Sequence, residues 1–207
     1  MRRLTRRSQM DFEAAWWHLR GLLVAPRRVY RTIAHHKQTK NQWARDDPAF
    51  VVLATAGVAV LGLLRGLFGG VGLVATLQGA VRHVLVDFLL VGVVMATATW
   101  AMANHWLVAS SLLHTTDQTV EWAYAFDVHC NAAVPVFLVL DTTRLLLASW
   151  LACARWWCLL GNNTLLLVAA SYYVYMTFLG YSTLPFVRRA HVLLVYPMGA
   201  FGVLWLL

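Results

Sequence analysis

The fold of this chain is decided by residues 49–68, which read AFVVLATAGVAVLGLLRGLF. This stretch holds 20 residues and a single charge, and about 20 apolar residues are what an α-helix needs to cross a bilayer core. Four more apolar stretches of similar length follow it. The five predicted spans are 49–68, 82–103, 131–151, 160–181 and 190–207. The sequence therefore predicts an all-α, polytopic membrane helix bundle with about five transmembrane helices.

Charge is concentrated ahead of these spans. Only 13% of the residues are charged and the mean hydropathy is +0.61, which excludes a soluble protein because soluble domains carry about 25% charged residues. Residues 1–48 hold 11 of the 17 Lys and Arg residues but only 4 of the 9 Asp and Glu residues. Basic residues beside a first span keep that flank in the cytosol. We therefore predict a cytosolic, basic, amphipathic head at 1–48 and a five-span transmembrane domain at 49–207.

The head contains two predicted helices. The first runs from Ser8 to Leu23, with Ser8 and Asp11 at the spacing of a capping box. Its apolar face is formed by Phe12, Trp16, Leu19 and Leu23. This face either lies among lipid headgroups or packs against the bundle, and the pattern fits both. The second helix is predicted to begin at Pro26, since proline suits a first helical turn.

The connections between spans follow from the same orientation. A cytosolic head puts the connections 104–130 and 182–189 in the cytosol and those at 69–81 and 152–159 in the lumen. The three cysteines lack the spacing of a metal or redox motif, and we predict no metal and no cofactor. Cys153 and Cys158 could pair in the lumen, but free buried or lipid-facing thiols are the favoured expectation.

A first group of candidate partner-binding residues precedes the first span. The functional hypothesis is a docking surface with Trp43 as the aromatic anchor and with Arg45, Asp46 and Asp47 as orienting charges. The structural alternative is an N-cap at Asp47 followed by Pro48 at the first helical position. We favour the cap for Asp47 and docking for Arg45 and Asp46.

A second group lies where the third span begins. Glu121 and Trp122 are further candidates for partner binding, and Asp127 joins them. At helical spacing Asp127 and Asn131 share one face while His129 points elsewhere. They could line a polar cleft, form an interhelical hydrogen-bond cluster, or, as a minority hypothesis, act in acid–base chemistry.

Charged residues inside the spans form a third group. His83 and Asp87 are predicted to pair at helical spacing of four, and Asp141 and Arg144 to form an ion pair at a spacing of three. An isolated charge at the bilayer centre costs at least about 2.5 kcal/mol, so such groups should face the bundle interior. The full predicted intramembrane polar cluster is His83, Asp87, Asp127, His129, Asn131, Asp141 and Arg144.

Four sequence blocks together resemble the "uncoordinated-fifty" family of Golgi membrane proteins. They are QMDFE at 9–13; RVYR at 28–31 with KQTKNQWARDDPAF at 37–50; VEWAYAFDVHCNA at 120–132; and YYVY at 172–175 with TFLGYSTLPF at 177–186. The blocks occur in family order, although this head is shorter and the chain ends before a further tail.

The resemblance implies a non-enzymatic, five-span Golgi protein with a cytosolic N-terminus, acting in vesicular protein trafficking. It implies recruitment of a large ARF guanine-nucleotide exchange factor, or assistance in delivering receptor cargo such as nicotinic acetylcholine receptors to the cell surface. A vertebrate member is associated with RNA binding at the inner nuclear membrane. Location in the endoplasmic reticulum or inner nuclear membrane, membrane-tethered RNA binding, and a small transporter or intramembrane enzyme with buried Asp and His groups remain the alternatives.

Overall fold

The computed structural model describes residues 10–38, 43–45, 47–108, 118–151, 153 and 155–206. These residues form seven helices of more than one turn: α1 (Phe12–Val24), α2 (Pro26–Gln38), α3 (Ala49–Phe68), α4 (Leu73–Leu107), α5 (Trp122–Leu146), α6 (Trp156–Ser182) and α7 (Val192–Leu206). A single helical turn at Ala148–Leu151 precedes α6. The described part of the chain contains no strand beyond one isolated bridge, so the all-α prediction is confirmed.

Four of the described helices are long and apolar enough to cross a membrane, namely α3, α4, α5 and α6. Helix α3 coincides with the predicted span 49–68. Helix α4 has 35 residues and begins nine residues before the predicted 82–103, and α5 begins nine residues before 131–151. The added residues of α5, 122–130, include the polar Asp127 and His129, whereas those of α4, 73–81, are mostly apolar and include only Thr76 and Gln78 as polar residues.

The last predicted span is shorter than expected. Residues 190–207 were predicted to cross, but α7 has 15 residues, or about 22 Å at 1.5 Å per residue. A hydrocarbon core is about 30 Å thick. Over its described residues α7 is therefore apolar but shorter than α3, α4, α5 and α6.

The head forms the two helices that the sequence predicts. Helix α1 starts after Asp11, whose Oδ1 accepts a hydrogen bond from the Ala14 amide at 2.8 Å. Asp11 is thus the N-cap, and the predicted start at Ser8 lies outside the described residues. Helix α2 begins at Pro26 as predicted.

Helix α1 packs against the bundle, which is one of the two environments considered for it. Ala15 and Leu22 are buried in the core of the bundle, while Phe12, Trp16 and Trp17 expose 46%, 59% and 56% of their surface. Large exposed aromatic residues on a basic amphipathic helix suit the headgroup region. One face of α1 therefore packs on the bundle, and contact of the exposed aromatic residues with lipid headgroups stays a prediction.

Helices α3 and α4 approach closely through small residues. A Cβ placed on Gly62 would lie 2.8 Å from Ala80 Cα, and one on Gly66 would lie 2.6 Å from the Thr76 side chain. Gly62 and Gly66 form the G-x-x-x-G spacing that lets membrane helices meet backbone to backbone. The G-x-x-x-G spacing is visible in the sequence, although it was not among the predicted features. The turn between the two helices places Gly70 at a φ of +66°, which favours glycine.

Helix α4 is interrupted by π-helical turns. One covers His83–Leu90 and the other Ala103–Leu107. Such turns widen a helix locally and occur frequently at functional sites. The first of them carries both predicted polar residues of this helix, His83 and Asp87.

The expectation of free thiols is wrong for two cysteines. Cys153 and Cys158 form a disulfide with a Cα–Cα distance of 5.9 Å. The turn ahead of Trp156 folds the chain back, which brings the two residues within bonding distance. Cys130 is a buried free thiol, as expected for a membrane helix.

Candidate functional site

Arg45 joins the head to the start of the third long helix. Its backbone amide donates to Asp127 Oδ2 at 2.7 Å, and its Nη2 donates to Asn131 Oδ1 at 2.7 Å. The guanidinium also lies over the ring of Phe50, 4.0 Å from the centroid. Asp127 and Asn131 therefore share a face as predicted, and Arg45 occupies it. We name Arg45, Asp127 and Asn131 the junction cluster.

Two carboxylates fix the neighbouring backbone. The Ala44 amide donates to Glu121 Oε2 at 3.2 Å. Asp47 accepts from the Ala49 amide at 2.9 Å and from the Asp11 amide at 2.8 Å. Asp47 therefore binds the first amide of α3, but the N-cap position falls on Pro48 and not on Asp47 as predicted. Asp47 also ties the start of α1 to the start of α3.

The predicted aromatic anchor is a core residue. Trp43 is only 7% exposed, and its ring meets those of Tyr124 and Phe186 edge-on at 6.4 and 6.2 Å. Docking through Trp43 would require the head to move, and partner binding by this residue stays a prediction. Trp122 is more exposed, stacks on Phe126 and donates its indole N–H to Thr97 at 3.0 Å. Asp46 lies outside the described residues.

A cavity of ≈ 200 Å³ lies beside the junction cluster, between the head and α5. Three buried polar atoms of its lining residues have no hydrogen-bond partner among the described residues: His18 Nε2, Tyr30 Oη and Arg45 Nη1. Burial and then the charge of Arg45 lower the pKa of His18 to about 3, so this imidazole is neutral at pH 7. Burial is also the main cause that raises the pKa of Tyr30. The cavity is lined by Asp11, Ala14, Ala15, His18, Tyr30, Ile33, Trp43, Arg45, Asp47, Phe50, Tyr124, Asp127, Val128 and Asn131.

A second polar group lies within the long helices, toward the end remote from the head. His83 Nδ1 is 2.9 Å from Asp87 Oδ2, and His83 Nε2 is 3.0 Å from Asp141 Oδ2. Asp141 Oδ1 is in turn 3.5 Å from Arg65 Nη1. We name these four residues the intramembrane cluster. It links α3, α4 and α5.

The protons of the intramembrane cluster can be counted from its geometry. A neutral imidazole donates through only one of its nitrogens, whereas both nitrogens of His83 face carboxylates. Both contacts can be hydrogen bonds at the same time only when the imidazole carries two N–H groups or one of the carboxylates is protonated.

The predicted ion pair between Asp141 and Arg144 is wrong. Among the described residues Asp141 pairs with Arg65 and His83 instead, because its side chain faces the packed helices α3 and α4. The predicted pair of His83 and Asp87 is confirmed. Arg65 was missed as a site residue, although it is the single charge within an otherwise apolar span.

His129 belongs to neither cluster. Its Nδ1 lies 2.8 Å from Tyr173 Oη and its Nε2 lies 3.2 Å from the Phe88 carbonyl. The alternative of a transporter or intramembrane enzyme required Asp87, Asp127, His129 and Asp141 to converge on one water-accessible cavity. Asp87 and Asp141 do meet at His83, whereas Asp127 accepts from the Arg45 amide and His129 contacts Tyr173 and Phe88.

The head-side end of the bundle brings distant segments together. Val108 pairs with Val187 in the isolated bridge, and Tyr124 Oη donates to the Gly180 carbonyl at 2.6 Å. We name this surface the end face: segment 43–45, residues 118–124 before and in α5, and the turn 183–191 after α6. Arg188 and Arg189 are exposed on it.

Comparison with known proteins gives a consistent result. A family model described as UNC-50 family matches residues 1–207. The "Protein unc-50 homolog" of Dictyostelium discoideum is 39% identical over 206 residues, which cover 99% of this chain and 78% of that protein. The human "Protein unc-50 homolog" is 43% identical over 95% of this chain and 75% of its own length. The "Protein GMH1 homolog" of Schizosaccharomyces pombe is 42% identical, with coverage of 99% and 88%. No solved structure matches.

Proposed function

This chain belongs to the UNC-50 family, and on that basis we propose that it is a non-enzymatic Golgi membrane protein of vesicular trafficking. In this proposal it recruits a cytosolic trafficking protein, such as a large ARF guanine-nucleotide exchange factor, and so assists delivery of receptors to the cell surface. Its N-terminus lies in the cytosol. The end face, on the same side of the bundle, is the surface that the soluble partner contacts.

The observation that carries this proposal is the convergence of the family-like sequence blocks. Trp43 from the block before α3 packs between Tyr124 of the block at 120–132 and Phe186 of the block at 177–186. Residues far apart in the chain thus share one buried cluster at one end of the bundle, and this cluster supports the exposed residues of the end face. Such a surface suits binding of a protein better than it suits passage of a solute.

The charge of this surface supports a cytosolic orientation. Arg188 and Arg189 are exposed in the turn that precedes α7, and basic residues between spans favour the cytosolic side. Four further exposed arginines of the head lie on the same side of the bundle: Arg20, Arg27, Arg28 and Arg31. Basic residues near an anionic cytosolic leaflet each contribute about 1 kcal/mol of attraction, so the end face is held close to the membrane surface.

The test removes charge from the end face without touching its core. We expect the double variant Arg188→Gln with Arg189→Gln to lower the fraction of exchange factor that co-sediments with Golgi membranes by at least half. The matched control is Arg82→Gln with Arg155→Gln, which neutralises two exposed arginines outside the end face and should leave recruitment unchanged.

Two further measurements accompany this test. Protease access to an N-terminal tag in sealed vesicles checks that both double variants keep a cytosolic head, because neutralised arginines can change topology. Equal recruitment by the end-face variant and the wild type, at equal protein level and unchanged topology, would contradict the proposal.

A further inference from the structure

The cavity beside the junction cluster is bordered by an unusual number of unsatisfied polar atoms. Buried polar groups in folded proteins nearly always have a hydrogen-bond partner. In the described part of the chain four buried side-chain atoms lack one, and three of these belong to residues that line this cavity. They come from three separate segments: His18 from α1, Tyr30 from α2 and Arg45 from the segment before α3.

We propose that this cavity binds the zwitterionic headgroup of a membrane phospholipid, a phosphocholine or phosphoethanolamine group. The phosphate oxygens accept from Arg45 Nη1 and Tyr30 Oη. Arg45 is already held at its other terminal nitrogen by Asn131 at 2.7 Å, which orients the free nitrogen. A guanidinium with a planar array of donors suits phosphate better than a lysine does. This inference does not depend on the recruitment of a protein partner.

The charges around the cavity select a zwitterion over a simple anion. Arg45 is the one cation among the lining residues, and Asp11, Asp47 and Asp127 are three carboxylates among them. His18 adds no charge because it is neutral at pH 7. A bare phosphate would be attracted by Arg45 but repelled by the carboxylates. A headgroup that carries an ammonium beside its phosphate can place the phosphate near Arg45 and the ammonium near the carboxylates.

The position and size of the cavity suit a headgroup. Asp47 lies two residues before the first membrane-spanning helix, so the cavity is at the level where the bilayer begins. Helix α1, which forms one wall, exposes Phe12 and Trp16 on its other side, and such residues insert at headgroup depth. The volume of ≈ 200 Å³ equals roughly six or seven water molecules, which is the scale of one phosphocholine or phosphoethanolamine group.

The test is the substitution Tyr30→Phe, which removes one hydroxyl that has no protein partner. Its matched control is Tyr181→Phe, since Tyr181 is also fully buried with an unpartnered hydroxyl but does not line the cavity. The purified full chain is titrated with dihexanoyl phosphatidylcholine below its micelle concentration, and binding is measured by native mass spectrometry. Tyr30→Phe should bind about tenfold more weakly than wild type, because a hydrogen bond to a charged group is lost. Tyr181→Phe should bind as wild type does.

Two additional ligands test whether the phosphate and the ammonium of the headgroup are both needed for binding. Inorganic phosphate alone and choline alone should each bind at least tenfold more weakly than the whole headgroup. Inorganic phosphate that binds as tightly as the lipid would overturn the zwitterion site. Equal lipid affinity in Tyr30→Phe and wild type, or no saturable lipid binding in either, would mean that the cavity holds only water and would also overturn it. A thermal melt of each variant verifies that it folds, and removal of an unpartnered hydroxyl should not lower the midpoint.

Discussion

The junction cluster and the intramembrane cluster contain similar residue types but differ in how completely their polar atoms are paired. In the intramembrane cluster both ring nitrogens of His83 meet carboxylates, and Asp141 has partners at both oxygens. In the junction cluster Arg45 keeps one terminal nitrogen without a partner beside a cavity. A fully paired group holds helices together, whereas a group with free donors at a cavity is able to bind something else.

Location explains why the two clusters differ. The intramembrane cluster lies between helices long enough to span a membrane, where an unpaired charge would be costly and water could not replace a missing partner. The junction cluster lies at the end of the bundle, where lipid headgroups and water are available. Polar atoms without a protein partner therefore cost little free energy at the head-side end of the bundle, whereas they would be costly between the spanning helices.

The largest expected effect comes from breaking the intramembrane cluster at its centre. Asp141 is 1% exposed and contacts both Arg65 and His83. Substitution Asp141→Leu would leave these two groups without their shared anion, which should lower the free energy of unfolding by about 3 to 5 kcal/mol. Unfolding by sodium dodecyl sulfate in mixed micelles measures this loss.

Arg144→Leu is the matched control for that experiment. It removes a charge one turn from Asp141 on the same helix, and we expect a change of less than about 1 kcal/mol because Arg144 makes no ion pair among the described residues. A cost for Arg144→Leu equal to that for Asp141→Leu would show that Asp141 relies on its neighbour on the same helix, contrary to the observed contacts.

A smaller effect is expected from the close approach that supports the intramembrane cluster. The added Cβ of Gly62→Ala would lie 2.8 Å from Ala80 Cα and 3.4 Å from His83 Cβ. Because a backbone atom cannot move aside, α3 and α4 must separate, at a cost of about 1 to 3 kcal/mol. Gly57→Ala on the same helix meets nothing within 4 Å and should be neutral or slightly stabilising. Thermal midpoints of the two variants in the same detergent test this, and equal midpoints would contradict it.

The sequence predicted the long helices well because a run of about 20 apolar residues directly indicates a membrane-spanning helix. The predicted first span begins at residue 49, which is also the observed start of α3, while the N-cap falls on Pro48 instead of Asp47. The starts of α4 and α5 were misplaced for different reasons. Helix α5 begins in a segment with Asp127 and His129 ahead of its apolar run, whereas the first residues of α4, 73–81, are mostly apolar but interrupted by Thr76, Gln78 and Gly79. The partner of Asp141 was wrong because spacing along one helix reveals neighbours on that helix and not the side chains that other helices bring.

The cavity could not have been predicted from one sequence. His18, Tyr30 and Arg45 are far apart in the chain and follow no spacing rule, so only the packing of the head on α5 brings them together. Trp43 illustrates the same limit, since an aromatic residue before a span suggests an interfacial anchor while tertiary contacts bury it. Arg65 and the pair Gly62 and Gly66, in contrast, were visible in the sequence as a lone charge and a small-residue motif.

The smallest predicted effect concerns pH at the cavity beside the junction cluster. Burial and Arg45 lower the pKa of His18 from 6.5 to about 3 in the folded protein. Between these two values the unfolded chain binds a proton that the folded chain does not, so stability falls as pH decreases from about 6.5. At pH 5.5 the loss should be about 1 kcal/mol relative to pH 7.5.

His18→Gln should flatten this part of the profile, whereas His191→Gln, at an exposed position, should leave it unchanged. Thermal midpoints from pH 7.5 to 5.0 provide the measurement, and identical profiles for wild type and His18→Gln would show that His18 takes up its proton in the folded state.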